Sequence, residues 1–125
     1  MPDLATARDA IAALFAAGIA DADPRAAVRN HLEFAGDALR IAGRDLDVRS
    51  GRVVAIAVGK AAFSMAQGLV DVLGERIDAG IVLTKDGHVP AEGSLPGFAI
   101  REAAHPVPDR SGDDATREIL ALIGA

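Results

Sequence analysis

The chain is 125 residues long, 50% hydrophobic and 25% charged, with a net charge of −5. That is the size and composition of a single folded domain, able to bury enough apolar surface to offset its ordering entropy. An acidic balance without a Lys/Arg cluster argues against nucleic acid as a partner, and the absence of cysteine excludes a disulfide framework, a thiolate metal site and a cysteine nucleophile.

Asp3, Arg8 and Asp9 interrupt the apolar N-terminus, so no signal-peptide core is predicted there. The longest apolar run, residues 53–59, has the length of a buried strand and falls far short of the ~20 residues a bilayer span needs. The expected location is the cytoplasm, with no membrane partner. Residues 4–20 carry Ile11, Leu14, Phe15 and Ile19 at spacings of three and four, which predicts an amphipathic helix. Asp23 followed by Pro24 is a helix-start signal. The second helix is expected to reach about Leu32, and a third to cover residues 36–41. Residues 42–51 are polar and read as a connection.

The pattern then changes. Residues 52–58 form a continuous apolar, β-branched run, as expected for a strand buried on both faces of a parallel sheet. Residues 60–73 follow as a helix with Ala62, Met65, Ala66, Leu69 and Leu73 inward and Gly74 as C-cap. Strands are predicted over residues 79–84 and Phe98–Ala103. Ser111 with Asp114 suggests a capping box for a last helix over residues 113–123, with Ile119, Leu120, Leu122 and Ile123 inward. Strands alternating with helices predict an α/β fold: a helical lead-in followed by a partial parallel Rossmann-like sheet, layered α/β/α. Three strands leave open edges, so an incomplete domain and self-association through those edges are expected.

Ligands of open α/β sheets bind outside the carboxyl ends of the strands. Three segments fall there: Gly59-Lys60-Ala61, Thr84-Lys85-Asp86-Gly87-His88, and Ala104-His105-Pro106-Val107-Pro108-Asp109. They contain both lysines of the chain and two of its three histidines. A glycine at a strand-to-helix turn lets backbone approach a ligand, and the helix N-terminus offers N–H groups to an anion. A lysine there opposes the helix dipole, a placement that an anion would offset. This is not a Walker A loop, because Val54 stands where its first glycine belongs and Ala61 where Ser or Thr belongs. No G-x-G-x-x-G dinucleotide pattern occurs at the turn, and Ser64 does not sit on a G-x-S-x-G elbow. The histidines are too scattered to suggest a metal site, and His31, beside Glu33, reads as structural.

Val58-Gly59-Lys60-Ala61-Ala62 with Met65-Ala66, then Gly80 to Thr84 leading to Gly87-His88, then His105-Pro106-Val107-Pro108-Asp109 followed by Gly112 together resemble the glycerate 2-kinase family. Its members often carry the label hydroxypyruvate reductase and have a C-terminal domain called multi-organism fragment with rich leucine. Lys85-Asp86 departs from the family's usual basic-then-aromatic pair. The resemblance implies phosphorylation of D-glycerate at its 2-hydroxyl by ATP with magnesium, in a cleft between two domains. Lys60 matches the lysine assigned to catalysis, and the implied substrate-binding set is Gly59, Lys60, Ala61, Lys85, His88, His105 and Asp109. It also implies that residues 1–125 form the N-terminal part of the family's first α/β domain, without turnover of their own. Two other readings are an NAD(P)H-dependent hydroxypyruvate reductase, which the missing dinucleotide glycines oppose, and a non-catalytic anion-binding or assembly module.

Overall fold

A computed structural model describes residues 3–125. Helices α1 (Leu4–Asp21) and α2 (Pro24–His31) come first. Strands β1 (Leu32–Ala35), β2 (Ala38–Ile41) and β3 (Arg44–Asp47) follow, then β4 (Val54–Val58), α3 (Ala62–Leu73), a 3-10 turn at Gly74–Arg76, β5 (Ala79–Lys85), β6 (Phe98–Ala103) and α4 (Arg110–Gly124). None of these helices is long and apolar enough to cross a membrane.

Local chemistry accounts for the helix starts. The Asp3 and Asp23 carboxylates accept from the Thr6 and Ala26 N–H groups, each at 2.7 Å, and Pro24 opens α2. Helix α1 forms where expected, but its apolar residues are spread around the alanine-rich helix rather than segregated to one face, and Ile11, Leu14, Phe15 and Ile19 are exposed. The helix expected over residues 36–41 is instead part of an antiparallel meander of β1, β2 and β3. Leu32, Phe34 and Leu39 enter one core cluster, an alternation of period two. Gly36 at φ +62° and the Ala42-Gly43 pair at +46° and +82° make the tight turns, and such turns match strand twist. The connection expected over residues 42–51 accordingly contains β3.

The second sheet is parallel, in the order β4-β5-β6. Ala55 pairs with Gly80 and Ala57 with Val82, and these residues share the face covered by α3. Ile56 and Ile81, one residue out of step, share the opposite face with Leu122 of α4. The sheet is therefore sandwiched between two helices, the expected α/β/α layering. Val82, fully buried, packs with Ala57, Ala62, Phe63 and Ala66; burying a side chain of this kind contributes about 1.5–3 kcal/mol. A second cluster joins Leu39 of the meander to Ala55, Leu73 and Ile77, near the starts of the parallel strands.

Several inward assignments shift. Met65 is 42% exposed, and Phe63 takes the buried place. In α4 the inner positions are Ala115, Ile119 and Leu122, while Leu120 and Ile123 are each 63% exposed. That helix starts earlier than expected because Asp109 is its N-cap, accepting from Gly112 N at 2.9 Å, in place of Ser111. Gly74 caps α3 as expected, its N–H reaching the Val70 carbonyl at φ +50°.

Candidate functional site

At the carboxyl edge of the parallel sheet lies a cleft of about 350 Å³. Its walls are the β4–α3 turn (Gly59, Lys60), the tip of β5 (Leu83, Thr84, Lys85) and the loop running from Ala103 to Asp109. The first turns of α4 (Gly112, Thr116) complete it. Lys85 pairs with Ala103, so β5 and β6 end level, while β4 stops two residues short of them with Val58 opposite Leu83. Gly59 has φ +116°, a conformation open to glycine alone, and nothing stands within 4 Å of where a Cβ would be. Its N–H donates to the Leu83 carbonyl at 2.9 Å, tying the turn to β5.

The helix starts differ in a way that matters for charge. α1, α2 and α4 each begin with an aspartate whose carboxylate accepts a backbone N–H. α3 begins with Ala61 and has no side-chain cap. The Ala62 N–H is held by the Gly59 carbonyl at 3.1 Å, and Lys60, two residues before α3, brings a positive charge to the cleft beside the positive end of that helix. The cleft's carboxylate, Asp109, is engaged with the backbone of α4.

Of the residues singled out in the sequence, Gly59, Lys60, Lys85, His105 and Asp109 line this one cleft. Ala61 stands beside it as the α3 N-cap. His88 is exposed and outside the lining; its N–H donates to the Lys85 carbonyl at 3.0 Å. Asp86 is bonded through its N–H to Ala103, and Glu102 accepts from the Gly87 and Val89 N–H groups, so this loop is held against β6. The His105–Pro106 peptide is cis. His31 lies in α2, its Nδ1 2.8 Å from the Ala27 carbonyl oxygen.

Thr84, which opens the second ligand-end segment without being assigned a role there, and Thr116, which lies outside all three segments, also line the cleft. Thr116 back-bonds to the Gly112 carbonyl at 2.7 Å. Thr84 is 3% exposed, and its hydroxyl has no hydrogen-bond partner. Leaving a buried hydroxyl unpaired costs about 1–3 kcal/mol. The sequence signal was present: a single hydroxyl ends the otherwise apolar run from Ile81 to Leu83 at the ligand end of a strand.

The family described as a domain of unknown function (DUF4147) matches residues 10–125. The chain belongs to the DUF4147 family. Among curated proteins, this DUF4147 chain is 49% identical over 72 residues to the D-glycerate 2-kinase of Thermotoga maritima, covering 58% of this chain and 17% of that one. It is 32% identical over 102 residues to a glycerate 2-kinase of Pyrococcus horikoshii (82% and 22%). To a putative hydroxypyruvate reductase of Agrobacterium vitis it is 34% identical over 119 residues (94% and 23%). The chain thus spans 17–23% of the length of these relatives. A crystal structure of a P. horikoshii OT3 protein superposes with a TM-score of 0.80 at 31% identity, over 94% of this chain and 26% of that one. The T. maritima glycerate kinase structure gives 0.53 at 47% identity, over 59% and 17%. The DUF4147 fold and its kinship with glycerate 2-kinases follow from these likenesses.

Proposed function

We propose that this chain forms one wall of the active site of a glycerate 2-kinase, which transfers a phosphoryl group from ATP to the 2-hydroxyl of D-glycerate. The observation that carries this reading is the cleft that brings Lys60 and Lys85 together at the turn leading into α3. Phosphoryl transfer asks little covalent work of a protein; positioning and neutralisation of negative charge dominate. Both substrates are anionic, and the cleft concentrates the chain's only two lysines although the net charge is −5.

The residues divide the work by position. Gly59 admits the substrate close to the backbone, because no side chain covers the turn. The N–H groups at the start of α3 and the Lys60 ammonium hold a carboxylate or phosphoryl oxygen. Lys85 approaches from the neighbouring strand end. The loop from His105 to Asp109 forms the opposing wall, and Asp109 is kept in place by its bond to Gly112. ATP supplies the phosphoryl group, and the donors just named have the chemistry to hold its oxygens. Magnesium is different: among the described residues no three His, Asp or Glu side chains cluster as ligands, and the cleft lining offers a single carboxylate, Asp109. The residues present do not make a magnesium site, and no step of this reading runs through the ion.

The test is a titration of the chain with ATP, D-glycerate, hydroxypyruvate and NADH, repeated with Lys60→Ala. ATP and D-glycerate are expected to bind and to lose about 10–100-fold in affinity in the variant, the worth of a hydrogen bond to a charged group. The melting temperature should not fall, since alanine favours the helix start and removes a charge opposed to its dipole. NADH binding that exceeds ATP binding would overturn the kinase reading in favour of the reductase. Anion binding indifferent to Lys60 would remove the residue from the site.

A further inference from the structure

We propose that the Thr84 hydroxyl and the uncapped start of α3 together form an oxyanion subsite, in which Thr84 donates a hydrogen bond to one oxygen of the ligand's carboxylate or phosphoryl group. This rests on the reading of the cleft as an anion-binding kinase site and adds the residue that fixes one oxygen within it.

Two independent observations meet at this point. Thr84 Oγ1 is the buried side-chain polar atom left without a partner among the described residues, and Thr84 belongs to the cleft lining. Buried polar groups are nearly always paired, so an unpaired one at the edge of a cleft calls for a partner from outside the chain. Here the setting favours the ligand. Strand alternation puts Thr84 on the face of Val82, beneath α3. The Gly59 N–H bonds the carbonyl of the adjacent residue Leu83, so the turn that starts α3 crosses the strand end beside Thr84. That helix is the one without a side-chain cap.

The neighbouring charges select the ligand's sign. Lys60 and Lys85 border the same cleft, and Lys60 lies two residues before α3, next to the positive end of its dipole. The carboxylates within reach are committed elsewhere: Asp109 to Gly112 N, and Glu102, the cross-strand partner of Thr84, to the Gly87 and Val89 N–H groups. A hydroxyl in that company donates to an anionic oxygen. Valine would fill the same volume without a polar atom, as Val82 does two residues earlier, so the hydroxyl's presence calls for a use outside the packing.

The experiment compares wild type, Thr84→Val, Thr84→Ser and Lys60→Ala by calorimetric titration with D-glycerate, inorganic phosphate and 2-phosphoglycerate. Each chain is also melted without ligand. Thr84→Val is expected to lose about 10-fold in affinity and to melt at the wild-type temperature or above, because an unpaired buried hydroxyl has been removed. Thr84→Ser should recover most of the affinity. A loss for D-glycerate but not phosphate assigns the subsite to the carboxylate; the reverse assigns it to the phosphoryl group. Wild-type affinity in Thr84→Val, with binding lost in Lys60→Ala, overturns this proposal while leaving the kinase reading standing. A fall of several degrees in the Thr84→Val melt also overturns it, by showing that the hydroxyl has an internal partner. If wild type binds none of the three compounds, the kinase reading fails and this proposal with it.

Discussion

Gly68 gives the most direct test of how the helices that position the cleft are packed. It sits in the middle of α3, where α2 crosses closely. A methyl group there would stand 2.7 Å from the Arg25 carbonyl oxygen and 2.9 Å from Val28 Cβ. Ordinary contact needs ~3.5 Å, so α2 and α3 would have to part by roughly 0.7 Å. The obstacle is backbone and cannot rotate away. Parting the helices also strains the Arg25–Asp71 ion pair across the same crossing, with bonds of 2.6 and 2.7 Å. Overpacking of this kind costs about 1–3 kcal/mol, against a helix-propensity gain of at most about 1 kcal/mol for Gly→Ala. The net expectation for Gly68→Ala, with the full propensity gain subtracted, is a loss of up to about 2 kcal/mol, or up to roughly 8 °C in a chain of this size. Gly18 supplies the control. It lies in exposed α1 with nothing within 4 Å of its would-be Cβ, so Gly18→Ala should be neutral or stabilising. Thermal and urea unfolding of both variants is the assay. Gly68→Ala as stable as Gly18→Ala would refute the close crossing of α2 on α3.

The remaining expectations concern the caps and the acid limb of stability. Asp109→Ala removes the α4 cap and should cost about 1 kcal/mol, whereas Asp109→Asn keeps an acceptor and should cost less than half of that; equal losses in urea unfolding would deny the cap. The bond from Val53 N–H, aided by Arg76, holds the Asp78 carboxyl below its ordinary 3.8, and the Arg25 guanidinium does the same for Asp71. A folded value below the unfolded one means the unfolded chain binds more protons as the pH falls, so this stability is complete above about pH 5 and drains away below about pH 4. Melting temperatures from pH 7 to 3 should be level and then drop, with a shallower drop in Asp78→Asn; a melt that rises below pH 4 would contradict the assignment.

Local pattern was enough to place β4, α3, β5 and β6 and to gather the cleft residues, for a physical reason. Strand β4 is apolar throughout and turns at a residue tolerant of positive φ, so the run from Val54 to Val58 and the turn at Gly59 are written in consecutive residues. The burial on both faces expected of it is not found, because β4 is an edge strand that buries Ala55 and Ala57 on one face and leaves Ile56 and Val58 exposed on the other. Because ligands of such sheets sit at the carboxyl ends, marking strand ends also marked Gly59, Lys60, Lys85, His105 and Asp109. The antiparallel meander was not legible in the same way. Its strands are four residues each, too short for alternation to outweigh the helix preference of Ala38, Leu39 and Arg40. Tertiary contact of Leu39 with Ala55, Leu73 and Ile77 decided the matter.

Contacts distant in sequence also chose among apolar residues that local pattern leaves equivalent. Ile119, Leu120, Leu122 and Ile123 span too wide an arc for all to face inward, and docking of α4 on the sheet buries Ile119 and Leu122 and leaves the other two in solvent. The Thr84 hydroxyl is the sharpest case. From the sequence by itself it is one threonine at the end of a strand, with solvent available to satisfy it. Only parallel pairing on both sides of β5, with α3 laid over one face, takes the water away and leaves that oxygen unpaired at the edge of a positively charged cleft.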